Sequence, residues 1–117
     1  MARTRIKGVT EISTKTIANI AGNAVCECYG VLGLASMAPL SDGINDILAP
    51  EEYTKGIFVR KINNRYEINI YIVLAYGIKV TEIVSEVQKK IRYVLRRAFD
   101  LSFRTVNVYV QSIKINS

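Results

Sequence analysis

GIFVRKINNRYEINIYIVLAYG, residues 56 to 77, decides the fold. Two runs rich in β-branched and aromatic residues flank Asn63-Asn64-Arg65, a turn-forming group, so the stretch reads as a β-hairpin. In the second run Ile68, Ile70, Ile72 and Leu74 share one face, and Asn69, Tyr71, Val73 and Ala75 share the other. The all-apolar set is the expected core face.

After Gly77 the period changes. Val80, Ile83, Val84, Val87, Ile91, Val94, Leu95 and Ala98 hold helical spacing, which predicts a helix over Val80 to Phe99. A last strand is expected over Arg104 to Asn116. Val106, Val108 and Val110 alternate on one face, then Ile113 and Ile115 switch phase, so a bulge or bend is expected near Gln111-Ser112.

Toward the N-terminus, Ser13 is a good helix N-cap, and Ile12 before it can staple onto Ile17. Ile17, Ile20, Ala21, Ala24, Val25 and Cys28 then form one apolar stripe, which Gly30 and Gly33 are expected to end. Gly8 to Ile12 reads as a short strand ahead of it. From Leu34 to Thr54 the pattern loses its period, with Pro39 and Pro50 bracketing a stretch in which Asp42 is placed to begin one helical turn. Long connections of this kind often carry function.

The predicted order is β-α-β-β-α-β: an α+β fold in one domain, residues 8 to 117, behind a basic tail at 1 to 7. Two helices on one face of a small, mostly antiparallel sheet is the economical packing. The other sheet face is then left to solvent or a partner.

Of 117 residues, 50% are hydrophobic, enough for one core without cross-links or metal. MARTRIKGV carries charge but no apolar run behind it, and no apolar stretch approaches the roughly 20 residues that span a bilayer. A cytoplasmic protein with reduced cysteines is expected. The net charge of +6 is uneven. Residues 16 to 54 hold five acids and no Lys or Arg, whereas 55 to 117 hold twelve bases against four acids. A basic half points to an anionic partner without choosing among nucleic acid, membrane surface and acidic protein.

Groups for catalysis are scarce. Histidine is absent, which removes Ser/His and Cys/His nucleophiles and histidine-bound metals. Gly30 and Gly33 close a helix rather than open one, the wrong polarity for cradling phosphate. In Cys26-Glu27-Cys28, at about 100° per residue, Cys28 falls within roughly 20° of Ile17 and Cys26 about 180° from it. On a regular helix the two thiols leave opposite sides, so they hold no common metal and form no disulfide. Cys28 is expected toward the core and Cys26 away from it. The carboxylate pairs Glu51-Glu52 and Glu82/Glu86 read as solvated surface. No catalytic residue, cofactor or metal is expected.

Two surfaces remain. Lys89, Arg92 and Arg96, flanked by Lys90 and Arg97, lie opposite the apolar stripe of the second helix. They are either a solvated face with cations suited to a helix C-terminus or a docking surface for an acidic protein, anionic lipid or nucleic acid. On the free sheet face, Asn69, Tyr71 and Val73 stand beside Asn107, Tyr109 and Gln111. Aromatics among amides can stack RNA bases, but tyrosine is also enriched at protein interfaces, and an oligomer contact is the favoured reading.

GVTEIS-TKTIANIAGNAVCECYGVLGLAS, the hairpin and helix from KGIFVRKI to IRYVL, and VNVYVQSIKI together resemble the alkaline-shock and general-stress proteins of Gram-positive and related bacteria, the envelope-stress-response family. The likeness runs from Gly8 to Ile115 and is most specific in the IxxIA helix leading to ECYGVxGxAS and in VNVYVQ; at Leu74-Ala75-Tyr76-Gly77 the family's VxYG departs in its first position. The resemblance implies a non-enzymatic, self-associating cytoplasmic protein of envelope homeostasis and alkaline stress. It also implies membrane association through an anchoring protein, and partnership with a fatty-acid-kinase-type protein.

Overall fold

The computed structural model describes residues 13–37, 47–63, 65–100 and 103–115. The expected basic tail, the strand at Gly8 to Ile12 and the turn at Asp42 lie outside these residues.

Ser13 caps helix α1, Thr14–Cys26, by accepting a hydrogen bond from the Thr16 amide at 3.1 Å. The helix buries Ile17, Ala18, Ala21, Gly22, Ala24 and Val25. It stops at Cys26, earlier than its apolar stripe suggests, and Gly30, at φ 87°, turns the chain in a conformation that side chains resist. Gly33 does not end the helix as expected. It sits inside a strand, β1, Val31–Leu34, which period-2 reading misses because four residues with a glycine among them carry almost no alternation.

A 3-10 helix, Pro50–Lys55, buries Tyr53 and leads into strand β2, Ile57–Ile62. β2 turns at Asn63, φ 51°, into strand β3, Arg65–Ala75. Helix α2, Val80–Phe99, follows and ends on Asp100 in the left-handed region, whose amide donates to the Arg96 carbonyl at 2.8 Å. Strand β4, Phe103–Lys114, completes the described chain.

β3 organises the sheet. One edge pairs antiparallel with β2 over Arg65 to Ile70 and then with β1 over Ile72 to Leu74. The handover falls at Tyr71, whose amide donates to the Gly56 carbonyl and whose carbonyl accepts from the Ala35 amide, each at 2.9 Å. The other edge pairs with β4 in parallel, as an α-helical crossover permits. Two of the three pairings are therefore antiparallel. The β4 register slips between Val110 and Ser112, leaving Gln111 as the extra residue; this is the expected bulge, and it returns Ile113 to the face of Leu74.

Both helices pack on the face formed by Ile68, Ile70, Ile72 and Leu74, all fully buried, with Ile83, Val87, Ile91 and Leu95 of α2 above them. Ala98, expected in the α2 stripe, is exposed, and Phe99 beside it packs against the core instead. No charged or polar residue is buried among those described.

Candidate functional site

Strand alternation puts Glu67, Asn69 and Tyr71 on the side of β3 away from the helices, and the parallel ladder sets Asn107 beside Asn69 and Tyr109 beside Tyr71. Of the sheet residues expected there, Asn69, Tyr71, Asn107 and Tyr109 are brought together. The Asn107 side-chain amide donates to Asn69 Oδ1 at 2.9 Å and to Glu67 Oε2 at 3.3 Å, while Asn69 Nδ2 donates to the same Glu67 oxygen at 3.2 Å. Arg60, the cross-strand partner of Glu67, completes the row at 3.5 Å. The Tyr71 and Tyr109 rings stack at 4.8 Å and 21°, and Phe58 meets Tyr71 edge-on at 6.3 Å, geometries that suit the ring quadrupoles. Sequence reasoning missed Glu67, Arg60 and Phe58. Counting back from the hairpin turn would have paired them.

This face is not open along its whole length. Val73, expected there as a free residue, is fully buried. Its cross-strand partner Gly33 has Ile47 seated against it, and Gln111 reaches over to donate to the carbonyls of Ser36 at 3.0 Å and Met37 at 3.1 Å. The exposed area is therefore the half that holds Phe58, Asn69, Tyr71, Asn107 and Tyr109.

The five cations of α2 separate into different situations. Lys90 is half-buried and pairs with Glu27 beyond the end of α1 at 3.2 Å. Arg92 donates to the Phe103 carbonyl at 2.7 Å, tying α2 to the start of β4. Arg97 donates to the Tyr93 hydroxyl at 2.9 Å and lies 5.6 Å from that ring's centroid. Lys89 and Arg96 are exposed and make no side-chain bond among the described residues. Because α2 covers the core face of the sheet, all five point away from the tyrosine face.

Cys26 is exposed and Cys28 is half-buried against the core, in the expected senses, although α1 has already ended at Cys26. Burial pushes the Cys28 thiol up, and it donates to the Ala24 carbonyl at 3.7 Å. Cys26 Sγ lies 3.4 Å from the hydroxyl of Tyr53, a buried residue whose ring lies against Gly22 of α1. That contact first, and burial second, push the Tyr53 phenol up to about 12. The unfolded chain ionises this phenol near its ordinary value of about 10, so it binds fewer protons than the folded one between pH 10 and 12. The neutral phenol's contribution to stability is complete below that window and is lost as pH rises through it. Urea midpoints are expected to fall across this range, and Tyr53→Phe to remove part of the fall; identical slopes for the two chains would contradict the assignment.

Between the end of α1 and α2 runs an open groove of about 710 Å³, lined by Glu27, Tyr29, Glu82, Glu86, Lys89 and Lys90 among others. Both charge signs face it, so it selects no single ligand chemistry. Among the described residues no group of three or more Cys, Asp or Glu is placed to hold a metal, and no helix is long and apolar enough to cross a membrane.

A variant of the MamM CTD shares this architecture, with a TM-score of 0.58 over 91% of this chain and 89% of its own, at 15% identity, a likeness of fold. The uncharacterized protein YloU of Bacillus subtilis is 36% identical over 94% of this chain and 92% of its own length. The uncharacterized protein Spy1614 of Streptococcus pyogenes is 33% identical over 92% and 89%. The family model that matches covers residues 2–115, from before α1 to the end of β4, and the chain belongs to that family, the alkaline shock protein 23 family, of cell envelope-related function.

Proposed function

We propose that this chain is a non-enzymatic protein of the envelope and alkaline stress response that works by binding other macromolecules. It self-associates through the exposed half of its sheet face. It docks, through the α2 cations, to membrane-anchored or lipid-metabolism partners, a fatty-acid-kinase-type protein among them. The carrying observation is the sheet face itself, where the stacked Tyr71 and Tyr109 and the Glu67-Asn69-Asn107 row stand in order with neither described α-helix over them. Their polar atoms already satisfy one another, which lowers the desolvation cost of covering them, and the tyrosines supply the amphipathic area that interfaces favour.

The RNA alternative loses support from the same geometry. The two tyrosine rings are stacked on each other, and the α2 cations lie on the opposite side of the sheet, so a strand would have to wrap the domain to use both.

Light scattering at micromolar concentration tests self-association. The unaltered chain is expected to exceed its monomer mass of 13.1 kDa, and Tyr109→Glu, which removes the stack on Tyr71 and sets a carboxylate in its place, to weaken association at least about tenfold. A strict monomer would sink this reading.

A further inference from the structure

The hairpin tip, the last turns of α2 and the start of β4 meet at one end of the molecule. Hairpin pairing sets Arg60 against Glu67, Lys61 against Tyr66 and Ile62 against Arg65. The parallel ladder brings Phe103 and Thr105 beside Tyr66 and Glu67, with Arg104 as the extra residue between them. Arg92 closes the corner on the Phe103 carbonyl, and Arg96 and Arg97 occupy the final turn of the helix.

This end therefore gathers seven bases, Arg60, Lys61, Arg65, Arg92, Arg96, Arg97 and Arg104, against two acids, Glu67 and Asp100. Glu67 is already engaged by Arg60. Elsewhere among the described residues three of the surface cations have an acid beside them, Lys55 with Glu52, Lys79 with Glu82 and Lys90 with Glu27, and those without one stand apart from each other along the chain. Apolar and amphipathic side chains stand among the seven. Ile62, at the hairpin tip, is 42% exposed, and Tyr93 is 60% exposed. Arg65, Arg104 and Ile62 also line a small open pocket of about 200 Å³.

We propose that this basic end docks the protein directly onto an anionic bilayer surface, with its cations against lipid phosphates and Ile62 entering the headgroup region. A hairpin tip and a helix end of one charge sign suit a plane, and cations together with an exposed isoleucine and tyrosine at the same end match the charge and polarity gradient of a membrane interface. Nucleic acid would be served by rings free to stack at this end, but Tyr93, the exposed one, already carries the Arg97 guanidinium 5.6 Å from its centroid, and the paired tyrosines lie elsewhere on the sheet. The inference deepens the docking half of the proposed function and does not depend on self-association.

The test is co-sedimentation of the full chain with vesicles of phosphatidylcholine alone or of roughly two parts phosphatidylcholine to one part phosphatidylglycerol. Binding is expected only to the mixed vesicles, and is expected to vanish as salt rises from about 0.1 M to 1 M and the screening length shrinks from about 10 to 3 Å. With each cation near such a surface contributing about fivefold, Arg65→Gln with Arg96→Gln and Arg104→Gln should lower partitioning on the order of 100-fold. Lys15→Gln with Lys79→Gln and Lys114→Gln removes the same charge from other parts of the surface and should leave binding within about threefold of wild type if position matters rather than total charge. Should the arginine triple melt differently from wild type, the Arg65→Gln and Arg104→Gln singles, each expected to lose about fivefold, replace it. The chain has no tryptophan, so Ile62→Trp is a unique reporter whose emission should shift to the blue on mixed vesicles.

Equal pelleting with both vesicles, equal losses in the two triples, or an unshifted Ile62→Trp spectrum on pelleted protein would overturn the proposal. So would tighter capture by a single-stranded polynucleotide than by mixed vesicles at equal phosphate. Light scattering without lipid separates the readings: a monomer that binds vesicles removes self-association alone, and an oligomer that ignores them removes bilayer docking alone.

Discussion

Ile70→Ala is expected to lower the unfolding free energy by about 3 to 4 kcal/mol and the melting temperature by about 12 °C or more. Ile70 is fully buried, and its strand is paired on both edges, with Ile57 across one ladder and Val108 across the other. Removing three carbons there leaves a void whose walls are backbone ladders and two packed helices, so little can move in to fill it. The loss is then the transfer term plus most of the cavity term. Against a total stability of about 5 to 15 kcal/mol for a domain this size, that is a large fraction. Urea titration is the measurement, with a lower midpoint at unchanged slope as the expected form. Ile113→Ala is the control, since Ile113 shares the helix-side face through the Gln111 bulge yet is 50% exposed, and it should cost under about 1 kcal/mol. Equal losses at the two positions would mean that the helices do not sit where the structure has them.

What the sequence made legible is what short range determines. The hairpin is set by a turn between two strand-forming runs, α2 by one long apolar stripe, the α1 start by Ser13, and the β4 bulge by a phase switch between Val110 and Ile113; each rests on residues within a few positions of one another. β1 escaped because VLGL has no alternation to read and its partner in β3 lies about forty residues away. The same distance hid the parallel placement of β4, which depends on where the α2 crossover returns the chain. At the surface, Asn69, Tyr71, Asn107 and Tyr109 were legible from alternation alone, whereas Arg60, Glu67 and Phe58 required a register. The α2 cations were legible as a stripe, but not the bonds that commit Lys90 to Glu27 and Arg92 to the Phe103 carbonyl. The basic end was invisible in the linear chain, because the hairpin, α2 and β4 each hold only a share of it.

Gly22 is the position where local and tertiary rules predict opposite signs. In the middle of a helix, glycine is about 1 kcal/mol worse than alanine, so propensity alone says that Gly22→Ala should stabilise α1. Gly22, however, is buried, and the ring of Tyr53 lies directly on it, so an added Cβ would fall inside van der Waals contact of three ring carbons. The crowded atoms include the Cγ end of the ring, which cannot swing aside without moving the 3-10 helix that carries it. The ring's far end is tethered as well, by the 3.4 Å contact between its hydroxyl and Cys26 on α1. Overpacking of this kind costs about 1 to 3 kcal/mol. Gly22→Ala is therefore expected to destabilise by about 1 to 2 kcal/mol net, and Gly22→Val, with two more carbons and a poorer helix propensity, by about 3 kcal/mol. The decisive measurement is a double-mutant cycle. In a Tyr53→Ala background the clash is gone, and Gly22→Ala should turn neutral or stabilising by up to about 1 kcal/mol, which is a coupling of about 2 kcal/mol between residues 31 positions apart. A stabilising Gly22→Ala in the unaltered chain would mean that Tyr53 is not seated on α1, and the packing of the whole segment between β1 and β2 would have to be redrawn.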